Sequence, residues 1–125
     1  MIHIKELSIG NYVLHLGAAK KVGEIISFTE IVLFQEKYYG LYSNRVSINE
    51  IEPVPITPEI LEKNGIKKEY NILYDDFYYN DDVSVTKAVD EWFVRIGATN
   101  SLYVKYVHQL QNALTLCGIN KSIEL

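Results

Sequence analysis

The sequence predicts an α+β protein dominated by short strands, and three observations carry that expectation. Brief apolar runs separated by turn residues fill the first 54 positions. Two segments, 58–64 and 103–117, carry helix signals. The apolar content leans to aromatic and β-branched residues, with ten Tyr against a single Met, which favours strands over helices.

The runs are "NYVLHL" (11–16), "KVGEIISF" (21–28), "EIVLFQ" (30–35), "YYGLYS" (38–43) and "RVSINEIEPV" (45–54). In the first, Tyr12, Leu14 and Leu16 alternate with Val13 and His15, so His15 belongs to the opposite strand face. Short strands joined by tight turns do not make a stable flat sheet, because a small sheet must curl to cover its edges and its apolar face. The expected solution over 7–54 is a small SH3-like β-barrel.

At "EPVPITPEILEKNGIKK" the pattern changes. Pro53 and Pro55 remove backbone donors and end strand pairing, Thr57 suits an N-cap, Pro58 suits the first helical position, and Glu59 lies at the positive helix end. Gly65 supplies a left-handed stop, leaving Ile66 to fold back on Ile60 or Leu61. Residues 55–69 are therefore a helical connector, a short bridging helix with its own start and stop, and 70–125 form a second β-sheet element packed by a C-terminal amphipathic helix. The whole, 1–125, is read as one domain.

In that second part, strands are expected at 70–75, 77–80, 83–89 and 91–96. "NILYDDFYYN" (71–80) echoes "IVLFQEKYYG" (31–40) forty residues on, either as a duplicated strand-turn-strand unit or as two hairpins alike in their aromatic flanks. Over 103–117, Tyr103, Tyr106, Val107, Leu110, Ala113, Leu114 and Cys117 share one stripe at helical spacing. His108 falls roughly opposite Cys117 and about 13 Å along the axis, so the two cannot share a proton within the helix. Cys117 reads as a small core residue and His108 as a solvated or capping one.

The charge of −4 gives no overall field for phosphate backbones, so nucleic acid is disfavoured as a partner. A lone Cys excludes a disulfide framework and a Cys-rich zinc site. The opening carries neither a basic-then-apolar leader nor a cleavage pattern, and no run approaches the roughly 18 apolar residues of a membrane span, so a cytoplasmic location with no membrane contact is expected. No phosphate loop, nucleophile elbow or His-Glu-x-x-His helix is present. Asp75, Asp76, Asp81 and Asp82 lack the spacing of a calcium loop and serve equally to turn hairpins. No catalytic residue, metal or cofactor is expected, and the chain reads as a non-enzyme.

What stands out is the aromatic surplus. Tyr38, Tyr39, Tyr42, Tyr74, Phe77, Tyr78, Tyr79 and Trp92 cannot all face inward if strands alternate, and exposed Tyr makes large contact areas with a polar handle. The first seven are the expected interface of a protein-interaction module that binds a protein partner or a second copy of itself. The alternative is a nucleic-acid-binding barrel using Lys20 and Lys21, placed in a loop between strands, together with Arg45.

"GNYVLHLG", "YYGLYSNRVSINEIEPVPITPEILEKNG" and "KYVHQLQNALTLCG" resemble recurring segments of a large family of small proteins encoded by anaerobic gut bacteria, their prophages and related mobile elements. The likeness covers 9–65 and 103–125. It departs where "ALTL" replaces two aromatic residues after the Asn and where "GINKSIEL" replaces a Gly-Glu-Glu-Leu ending. It implies a β-rich opening, a helix starting at "PITPEIL", a closing Val-His-Gln-Leu-Gln-Asn helix and a phage or mobile-element accessory protein, and it implies no activity.

Overall fold

The first hairpin turns on two residues at positive φ. β1 (Tyr12–His15) and β2 (Ala18–Ile25) are joined by Leu16 and Gly17, whose φ angles of 52° and 77° are those of a type I′ turn. These coordinates are a computed structural model describing residues 2–34, 45–70, 73, 76–97, 99–119 and 121–125. The fold is α+β: two antiparallel five-stranded sheets with a C-terminal helix, divided into the units Met1–Val54 and Pro55–Leu125.

In the first unit β3 (Glu30–Leu33), β4 (Arg45–Ser47) and β5 (Ile51–Pro53) complete a sheet of order β4-β3-β2-β1-β5. The first half of β2 pairs with β1, from His15↔Ala18 to Tyr12↔Lys21, and its second half pairs with β3 from Val22↔Leu33 onward, with a register slip between Val22 and Glu24. Gly23 occupies the slip, where a Cβ would meet the Phe34 nitrogen at 3.4 Å and the Val32 oxygen at 3.5 Å. Such a bulge bends a strand and lets it serve two neighbours that diverge. β4 and β5 are the sheet edges, and among the described residues no ladder joins them, so the pairing does not close the expected barrel. Every strand still feeds one core, in which Val13, Val22, Ile31, Leu33, Val46 and Ile51 pack with Ile2, Leu7 and Ile48.

The run 45–54, expected as one strand, is cut by a 3₁₀ turn at Ile48–Glu50. Ser47 Oγ accepts the Asn49 N–H at 3.2 Å while Glu50 Oε1 accepts the Ser47 N–H at 3.2 Å, a reciprocal cap that a strand cannot hold. The run 38–43 lies outside the described residues, as do ten of the twenty positions of the proposed 31–40 and 71–80 duplication.

The second unit opens with α1 (Pro58–Lys63), which begins and ends as its sequence signals require. Thr57 Oγ1 accepts the Ile60 N–H at 3.3 Å, and after Gly65 at φ 77° the Ile66 N–H returns to the Leu61 carbonyl at 2.9 Å. β6 (Lys67–Lys68), β7 (Phe77–Tyr79), β8 (Val83–Lys87), β9 (Trp92–Ile96) and β10 (Asn100–Val104) then form the order β10-β9-β8-β7-β6. Val83, Val85, Trp92, Val94, Ile96 and Val104 are buried on its inner face. α2 (Val107–Leu116) buries Val107, Leu110, Ala113 and Leu114. Asn64 ties down the tail: its Nδ2 donates to the Ile60 and Glu124 carbonyls at 2.7 Å each, and its Oδ1 accepts the Glu124 N–H at 2.7 Å.

Three expectations are corrected here. The helix begins at Val107 and not at 103, because 100–104 pair with β9 and because Gln109 Oε1 accepts the Lys105 and Tyr106 N–H groups at 2.8 and 3.2 Å, fixing the first turn. His108 is wholly buried and stacks on Tyr106 with ring centroids 5.9 Å apart, so it is not a solvated residue. Cys117 is half-buried at the α2 C-cap rather than a core residue, since the helix ends there and the stripe with it.

Candidate functional site: an aromatic sheet face

Strand alternation and the ladder registers place two rows of side chains on the outer face of the second sheet. One row runs Phe77, Thr86, Phe93, Tyr103 from β7 to β10, and the next runs Lys67, Tyr79, Ser84, Arg95, Ser101 from β6 to β10. On the inner face Tyr78, Val83, Val85, Trp92, Val94, Ile96 and Val104 are buried, whereas on the outer face Tyr79 is 43% and Tyr103 61% exposed, Lys67, Arg95 and Ser101 are exposed, and Phe77 and Phe93 are half-buried. The rings meet in pairs. Phe77 and Tyr79 stack at 6.3 Å and 15°, and Phe93 leans on Tyr103 at 5.1 Å and 49°.

At one end of the face the β7–β8 turn is held by Asn80, whose Oδ1 accepts the N–H groups of Asp82 and Val83 at 2.9 Å each. This aims Asp81 and Asp82 at a shallow hollow of about 220 Å³ bounded also by Tyr79, Ser84 and Arg95. The face thus joins flat aromatic area, hydroxyls, a guanidinium and two carboxylates without a deep cavity. Flat aromatic area with polar groups around it is the make-up common to protein interfaces.

The expected interface residues divide accordingly. Phe77 and Tyr79 lie on this face. Tyr78 does not: alternation turns it inward, where it is 3% exposed and meets Trp92 edge-on at 5.8 Å, and burial pushes its hydroxyl pKa up against the opposing pull of Lys68. Tyr38, Tyr39, Tyr42 and Tyr74 lie outside the described residues. Asp76 is in an ion pair with Lys68 at 3.5 Å. Phe93, Tyr103, Arg95 and Lys67 were missed as site residues. The first and third were recoverable from alternation in "WFVRI", whereas Tyr103 was hidden by its helical spacing.

The alternative contacts fare differently. Lys20 and Lys21 lie within β2 and not in a loop, because the turn comes earlier, at Leu16 and Gly17. The Lys20 Nζ is 3.3 Å from His15 Nδ1, and the His15 Nε2 is in turn 3.8 Å from Glu50. Lys21 sits 5.3 Å over the Tyr12 ring. Arg45 donates through Nη2 to Glu30 Oε1 at 3.0 Å and through Nε to Oε2, which holds the Glu30 carboxyl below the usual carboxylate range. Each cation of that reading already has a partner within the first unit.

Among the described residues no group of three or more His, Cys, Asp or Glu is placed to hold a metal ion, and no helix is long and apolar enough to cross a membrane. No family model, curated protein or solved structure matches the chain. The functional reading therefore rests on the face itself.

Proposed function

We propose that this chain is a non-enzymatic interaction module that binds a protein partner through the outer face of its second sheet. The observation carrying the reading is the two ring pairs, Phe77 with Tyr79 and Phe93 with Tyr103, on the outer face of the sheet, where Tyr79, Tyr103 and Arg95 are exposed. Aromatic residues and Arg are the side chains that concentrate binding energy at protein interfaces. Protein is favoured over nucleic acid because residues 55–125 carry seven Lys and Arg against ten Asp and Glu, and Asp81 and Asp82 stand beside Arg95. The carboxylates suit a partner with a basic rim.

The first unit completes this reading as an SH3-like barrel. Its support is the meander β1 to β4, the 3₁₀ turn before β5, the return of β5 onto β1 and the sharing of β2 between two neighbours. A cytoplasmic accessory protein of a phage or mobile element is the setting that the resemblance suggests.

The test is capture of protein from the native source by the wild type and by Tyr79→Ser/Arg95→Ser, both exposed positions. The reading expects the double variant to lose retained protein by about tenfold or more. Equal retention with the native far-UV spectrum would overturn it.

A further inference from the structure

The two edges of the second sheet are built differently. β6 has two residues, both lysine, and short lysine-bearing edges resist pairing with another chain. β10 has five residues, "NSLYV", with no charge, no proline and no bulge in its register against β9. Just beyond it the chain is occupied, since Pro55 bridges Tyr106 and the Ile56 N–H donates to the Lys105 carbonyl at 3.2 Å. Among the described residues no strand pairs with the other side of β10, and that contact ends this edge at Val104 and so sets its length. Asn100, Ser101 and Tyr103 are exposed.

We infer that β10 pairs antiparallel with β10 of a second copy of this chain, joining the two sheets edge to edge about a twofold axis at Leu102. The strand suits itself. Centred there, Ser101 lies across from Tyr103 of the other copy and Asn100 across from Val104, so the small Ser faces the large Tyr and no like charges meet. Any strand laid on this edge gains the main-chain ladder, but a charged one would bring its charges to an edge with no counter-charge, whereas an identical neutral strand brings none. Pairs across an antiparallel ladder share a face, so both copies present their aromatic rows on the same side and Tyr103 of each extends the face of the other. The inference goes beyond the proposed partner binding and does not depend on what the face holds.

The experiment is sedimentation equilibrium of the full chain over a concentration series, with two variants at exposed positions. Wild type is expected to reach twice the 14.4 kDa chain mass. Ser101→Lys/Tyr103→Lys brings four cations together across the axis and is expected at the chain mass. Ser101→Lys/Tyr103→Glu sets each Lys against a Glu of the other copy and is expected to return to twice the mass. A wild type that stays at the chain mass throughout, a Lys/Lys variant that remains dimeric, or a Lys/Glu variant with native far-UV spectrum that fails to recover would each overturn the proposal. A monomeric wild type whose protein capture still depends on Tyr79 and Arg95 would remove the dimer and leave the face reading standing.

Discussion

Leu16 holds a backbone conformation that its side chain opposes. It has φ 52° in the β1–β2 turn and is 88% exposed, so no burial offsets the crowding between its Cβ and the following carbonyl. An L-residue in the left-handed region costs roughly 1–2 kcal/mol, and Asn, which hydrogen-bonds locally there, avoids much of it. Leu16→Asn keeps Gly17 at φ 77° and converts the pair to Asn-Gly, the preferred type I′ sequence. The expected gain is about 1 kcal/mol, or a rise of about 3–6 °C in Tm for a chain of this size, read by urea and thermal unfolding followed by circular dichroism. Leu16→Val is the counter-test, since a β-branched side chain is worse at positive φ and must destabilise. If Leu16→Asn leaves stability unchanged or lowers it while Leu16→Val is neutral, the type I′ turn is wrong.

Three further outcomes are expected. Leu110→Ala, at a wholly buried position of α2, should cost roughly 2–5 kcal/mol in urea unfolding. Asn64→Ala removes the clamp on Glu124 and should raise amide exchange at residues 123–125, with a loss of about 1–3 kcal/mol for the backbone groups left unpaired. In an NMR titration the Glu30 midpoint should rise towards the ordinary range in Arg45→Gln, because the guanidinium bond is what lowers it. The sign follows from a depressed carboxylate: the pair's contribution is present above the unfolded pKa and is lost as pH falls through the lowered folded one.

Much of the fold was legible because the signals were local. Thr57, Pro58 and Gly65 fix α1 through groups within one turn of each other, and alternation in "VSVTK" and "WFVRI" marks β8 and β9. β10 was misread because "LYVKYVHQL" satisfies a helical stripe while its N-terminal half pairs with a strand, and only the ladder with Phe93 and Trp92 decides between them. Neither did spacing reveal the burial of His108, since burial depends on what packs over a residue and not on its place along the helix. For the site, Tyr excess pointed to an exposed aromatic surface, but which ring faces outward depends on register, and a one-residue shift exchanges Tyr78 for Tyr79.

The most direct test of the binding face is photo-cross-linking in the native source with a benzophenone side chain placed at Tyr79, and in a separate protein at Leu116, which is 87% exposed at the end of α2. The account predicts a discrete protein adduct from position 79 and none from position 116. Equal adducts from both positions, or none from 79 while 116 gives one, would contradict it.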